Sequence, residues 1–214
     1  MATLSTSLKA GASTAILLPG NPQHRQISAE KLLSDVFSFQ QKLAELGISP
    51  QSAVSIALPN SYEFIVSFLA TTQQRAIAAP LNPAYKQNEF SFYIDDLSSA
   101  LLLAPRGSVA RNVPAVQAAR QHNAAVAEVW FDGAVRFEVK YHEKLFEKGR
   151  QSVEDAKTDD IALVLHTSGT TGRPKAVSHC PAPLTQHVGA YLVDKVPLTH
   201  RNLIRTMRTQ SSVE

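Results

Sequence analysis

Between Thr167 and Lys175 the chain reads Thr-Ser-Gly-Thr-Thr-Gly-Arg-Pro-Lys, directly after the apolar run Ile161 to Leu165 and His166. The hydroxyls of Thr167, Ser168, Thr170 and Thr171 can each donate a hydrogen bond to an anionic oxygen. Gly169 and Gly172 carry no Cβ, so backbone N–H groups can close around that anion. Lys175 ends the run with a compact positive charge. Groups of these types suit the binding of phosphate, and they point to nucleotide chemistry. The spacing is not that of a Walker loop, which has four residues between its glycines and a lysine directly after the second. Here Gly169 and Gly172 are closer together, and Arg173-Pro174 precedes Lys175. A P-loop hydrolase is therefore disfavoured. A Ser/Thr/Gly linker does not ordinarily follow an apolar strand or end in Pro-Lys.

A loop of this kind must be delivered by a framework, and the chain supplies one. Ala15 to Leu18 predicts a short strand. Ser28 is placed to cap a helix whose Leu32, Val36, Phe39, Leu43 and Leu46 share one face until Gly47 stops it. Ala53 to Leu58 predicts a strand, and Asn60 with Glu63 a capping pair for a helix through Thr72. A strand at Ile77 to Ala79, a helix at Gln87 to Leu97, a strand at Ala100 to Leu103, a helix at Pro114 to His122 and a strand at Val126 to Phe131 continue the alternation. Such repetition predicts an α/β fold, a layered, mostly parallel sheet with flanking helices. Asp132-Gly133 offers a turn into an antiparallel excursion at Ala134 to Val139. Tyr141 to Asp159 reads as a polar surface connection to the strand that carries the loop.

Phe37, Phe39, Phe64, Phe68, Phe90, Phe92 and Tyr93 fall at helical spacings and are expected in the core. Asp95 and Asp96, adjacent on a helix, point about 100° apart and read as a solvated face. His166 has two readings of equal weight, facing a nucleotide or packing at the strand end.

Composition narrows the function classes. The 214 residues are 44% hydrophobic, enough for a substantial core, and 21 basic against 18 acidic residues give a net charge of +3. The charges are scattered, which excludes nucleic acid as a main partner. Cys180 is the only cysteine, so there is neither a disulfide framework nor a cysteine metal site, and no metal ligands are assigned. Met1 to Lys9 makes a poor secretory signal, and no apolar run reaches membrane-spanning length.

In the loop, and through Leu58 to Leu69, Ala79 to Tyr85 and Glu89 to Leu97, the chain resembles the adenylate-forming superfamily of AMP-dependent synthetases and ligases. Within it, the resemblance is greatest to the fungal peroxisomal CoA synthetases, also described as oxalate–CoA ligases. It implies the incomplete N-terminal part of an AMP-forming carboxylate–CoA ligase that uses ATP, Mg2+ and coenzyme A on a small carboxylic acid. Thr167, Ser168, Gly169, Thr170, Thr171, Gly172 and Lys175 would then hold the ATP phosphates. By the same resemblance the chain lacks the adenine-binding segment, the magnesium-binding glutamate, the ribose-binding aspartate and the C-terminal domain with its catalytic lysine. No catalytic set is complete, so the expectation is a chain without turnover, and the alternative is an inactive nucleotide-binding or misfolded product. The parent family is peroxisomal or cytoplasmic. This chain ends Ser-Val-Glu and not in a Ser-Lys-Leu type of address, so cytoplasmic placement is expected.

The resemblance breaks after the loop. Family members run from the loop lysine straight into a helix start like Val196-Pro-Leu-Thr-His-Arg-Asn-Leu203, whereas here residues 177–195 intervene. Removing them restores Lys-Ala-Val-Pro-Leu-Thr-His-Arg-Asn-Leu. Val177-Ser178 is compatible with a splice donor and Lys195 with an acceptor, which favours a retained intron translated in frame. A surface insertion and a partial duplication of Pro-Leu-Thr, at 183–185 and 197–199, are the other readings. Ala176 stands where the family has glycine.

Overall fold

The structure, a computed structural model, describes residues 11–18, 25–142, 149–166 and 195–199. Its centre is a seven-stranded sheet in the order β7-β6-β5-β3-β4-β8-β9. The strands are β3 (Ala53–Ile56), β4 (Ile77–Pro80), β5 (Leu101–Pro105), β6 (Ala125–Phe131), β7 (Val135–Tyr141), β8 (Ile161–His166) and β9 (Lys195–Thr199). From β6 to β8 across the sheet every pairing is parallel, and only the outer strands β7 and β9 run antiparallel. The predicted α/β fold with a mostly parallel sheet is the fold found.

Helices cover both faces because the inner strands are apolar on both. Leu101 and Leu103 point into a core with α1 (Ala29–Glu45) and α2 (Tyr62–Gln73). Leu102 and Val126 point the other way, into a core with α3 (Gln87–Asp96) and α4 (Pro114–Gln121). This is the near-continuous apolar reading of a buried parallel strand, with successive side chains going to opposite faces.

Local chemistry fixes the helix ends. Ser28 Oγ accepts from the Lys31 N–H at 3.1 Å and starts α1, as predicted. Gly47, at φ 81, follows its end and donates to the Ala44 carbonyl, a left-handed position that suits glycine. The cap of α2 is Ser61 and not the predicted Asn60, since Ser61 is extended and its Oγ accepts from Phe64 N–H at 3.3 Å. Glu89 accepts from Lys86 N–H at 2.9 Å at the head of α3.

Four further features add to the expectations or change them. The predicted strand β1 (Thr14–Leu18) has a partner the sequence did not announce, β2 (Arg25–Ser28), in a separate antiparallel pair. Phe37 and Phe92 are 53% and 40% exposed, whereas Phe39, Phe90 and Tyr93 are buried; a helix turns about 100° per residue, so near neighbours of a core aromatic face outward. Residues 149–159 of the polar run before β8 lie mostly at the surface, as expected, and are fastened as well: Ala156 is buried, Glu154 accepts from Arg75, and Asp160 just beyond them does the same. Residues 195–199 form a strand, not a helix start. The hairpin through Asp132-Gly133 is found as predicted, with Phe137 of β7 edge-on to Phe39 at 4.9 Å.

Candidate nucleotide site

Strand β8 delivers the hydroxyl-rich loop, and both of its ends are fastened. At its start, Asp160 accepts from Arg75 Nε at 2.8 Å and Nη2 at 3.2 Å, and from Lys157 N–H at 2.8 Å. Arg75 also donates to Glu154 at 2.7 Å. Asp160 above all holds the guanidinium above its ordinary pKa, its burial notwithstanding. Beside it, buried Gln74 donates to the Ile48 and Ser152 carbonyls at 3.1 and 3.2 Å. The middle of β8 is driven into the sheet by Ala162, Leu163 and Val164, with Leu163 level with Ala78 of β4.

At its far end the His166 imidazole is 4% exposed and lies 3.0 Å from Asp96 Oδ2 through Nε2. A carboxylate only accepts, so Nε2 is the donor. Tyr93 lies against the imidazole with ring centroids 4.6 Å apart, and Phe92 meets it edge-on at 6.4 Å. Burial first, then the contact with Tyr85, pushes the Tyr93 hydroxyl up to about 12. Of the two readings of His166, the strand-end packing is the one seen. The solvated-face reading holds for Asp95, which is 74% exposed while lying 3.2 Å from His122 Nδ1, and fails for Asp96, which turns to His166. Sequence reasoning missed both imidazole partners, although Tyr93 and Asp96 stand three apart and so share a helix face.

Thr167, Ser168, Gly169, Thr170, Thr171, Gly172 and Lys175 lie outside the described residues, as do most of 177–195. Their donor chemistry fits a polyphosphate, and the chain enters them from the carboxyl end of β8, beside parallel β4. Open α/β sheets bind ligands at that end of their strands. Among the described residues no three His, Cys, Asp or Glu side chains gather to hold a cation. Among the same residues no helix is long and apolar enough to cross a membrane.

Residues 9–197, most of the chain, match the family described as AMP-binding enzyme. The chain belongs to that family. The oxalate–CoA ligase of Saccharomyces cerevisiae is 32% identical over 176 residues, covering 73% of this chain and 29% of that protein. The oxalate–CoA ligase of Arabidopsis thaliana is 39% identical over 151 residues, covering 67% and 27%. The chain thus spans less than a third of those relatives. ATP-bound MatB from Rhodopseudomonas palustris shares the fold, with a TM-score of 0.64 at 24% identity over 88% of this chain and 33% of that one.

Proposed function

We propose that this AMP-binding chain carries the phosphate-holding loop of an AMP-forming carboxylate–CoA ligase whose acid is oxalate. The observation that carries the reading is the hydroxyl-glycine-lysine run that continues directly from the carboxyl end of β8. The names of the relatives support the choice of acid. A carboxylate oxygen attacks the α-phosphorus of ATP and pyrophosphate leaves; the coenzyme A thiolate then attacks the acyl carbonyl and AMP leaves. Such chemistry needs positioning and charge stabilisation more than covalent help. Ser168, Thr170, Thr171 and the loop amides would hold the β- and γ-phosphates, while Lys175 offsets charge on the departing pyrophosphate.

The test is calorimetric titration of the 214-residue chain with ATP and magnesium, followed by assay of AMP release with oxalate and coenzyme A. Saturable binding, competed by pyrophosphate and weakened about tenfold by Lys175→Ala, is expected. A folded chain that takes up no ATP rejects the reading.

One observation favours a second reading, in which the chain holds nucleotide but does not turn over. Lys195 stands opposite His166 on the last rung of the β8·β9 pair, at the end of the connection 167–194. Removing 177–195 would bring Ala176 to that rung and leave 167–175 as the connection. We propose that 177–195 interrupt the loop where it should hand over to β9, uncoupling Lys175 from the phosphates.

A further inference from the structure

We infer that Asp96 and His166 are a positioning pair that fixes where the chain leaves β8 for the phosphate loop, an inference that rests on the nucleotide reading above. His166 is the last residue of β8, and Thr167 follows one peptide bond later. Its imidazole is constrained on three sides. The strand backbone holds its root, Asp96 Oδ2 takes its Nε2 hydrogen at 3.0 Å, and the Tyr93 ring closes on it at 4.6 Å. Tyr93 is itself braced by Tyr85, with centroids 5.2 Å apart.

The groups around the pair are committed elsewhere. Asp95 is directed to His122 Nδ1 at 3.2 Å, and His122 Nε2 lies 2.6 Å from Ser91 Oγ. The two adjacent carboxylates at the end of α3 therefore divide their work: Asp95 fastens α3 to α4, and Asp96 fastens α3 to the end of β8. A phenylalanine would fill the same apolar surroundings without a buried polar group to satisfy, and burying imidazole and carboxylate costs free energy unless their bond is made. What the pair adds over plain packing is direction. A hydrogen bond accepts only a narrow range of angles, so the end of β8 is set in orientation as well as depth. A loop that must place several donors on one polyphosphate is sensitive to such an offset at its root, where a displacement of about 1 Å costs on the order of 100-fold in productive geometry.

The experiment is MgATP titration of the full 214-residue chain and its variants, with a thermal melt of each. His166→Phe keeps the ring and removes the donor; Asp96→Ala removes the acceptor; His166→Gln keeps a donor at a similar reach. The expected result is about tenfold weaker MgATP binding for His166→Phe and for Asp96→Ala, with no further loss in the double variant, and recovery to within about threefold in His166→Gln. His166→Phe, which leaves no buried donor behind, keeps a melting temperature close to wild type, whereas Asp96→Ala lowers it by leaving the buried imidazole without its acceptor; the loss of binding in a folded His166→Phe separates positioning from folding. If His166→Phe does not fold, Asp96→Ala, at the half-open end of α3, decides alone. Wild-type affinity in a folded His166→Phe or Asp96→Ala overturns the positioning role and leaves the nucleotide reading standing. A wild-type chain that binds no MgATP overturns both.

Discussion

Arg75 grips Asp160 with two nitrogens, Nε at 2.8 Å from Oδ2 and Nη2 at 3.2 Å from Oδ1, and so ties the turn before β4 to the residue before β8. Both side chains are largely buried, at 14% and 9% exposure. Removing one partner leaves the other short of hydrogen bonds in a place water reaches poorly. Asp160→Ala is expected to cost about 2 kcal/mol of unfolding free energy. Denaturant unfolding measures it, and a change under about 0.5 kcal/mol would mean the pair behaves like an ordinary surface salt bridge.

Glu128 is a second buried carboxylate with a purely structural task. From β6, 3% exposed, it accepts the backbone N–H groups of Gly107 at 2.9 Å and Val109 at 2.8 Å, one on each oxygen. Glu128→Gln turns one of those acceptors into a donor facing a donor. A loss of about 1–3 kcal/mol is expected, together with faster amide exchange at Gly107 or Val109. Unchanged exchange at both amides would contradict it.

Two buried tyrosines set an alkaline limit. Tyr62 is raised above the ordinary tyrosine range by burial first, then by its hydrogen bond to Asp35 at 2.8 Å; Tyr93 is pushed up to about 12. In the unfolded chain both titrate near about 10. The folded pKa values being the higher, their contribution is complete below pH ~10 and is eroded above it, that of Tyr93 being lost as pH climbs through ~12 and that of Tyr62 only beyond, because the unfolded chain releases its protons first. Unfolding midpoints should fall across that window, and Tyr62→Phe should flatten the fall. A wild-type midpoint level from pH 9 to 12 would exclude the linkage.

Deleting 177–195 should leave β8 and β9 paired with Ala176 opposite His166, and should tighten MgATP binding by about tenfold by shortening the connection between them. Cross-strand contacts in NMR spectra report the register, and calorimetry reports the affinity. Equal affinity in the two chains would show that the segment leaves the loop undisturbed.

The order of elements was legible because it rests on periodicity. Leu32, Val36, Phe39 and Leu43 recur at helical spacing, and the runs at 101–105 and 125–131 are too apolar and too short to be anything but inner strands. The misreadings have local causes. Asn60 and Ser61 are both good caps, and only backbone geometry chooses between them. The pairing of β1 with β2 joins residues across a bulge between Thr14 and Ile16, which no alternation predicts. For the site, the loop's composition was plain, whereas the Asp96–His166 contact joins residues 70 apart in sequence and depends on where the sheet seats β8 beside β4.

At the opposite margin of the sheet, β7 presents Val135, Phe137, Val139 and Tyr141 half-covered and Arg136, Glu138 and Lys140 between them. Lys140 reaches Glu138 at 2.5 Å and Arg136 reaches Asp132 at 2.7 Å. Any further strand laid along this border would have to strip hydration from that row of charges. Strand addition there is thereby discouraged, and β7 guards the sheet against aggregation from that side.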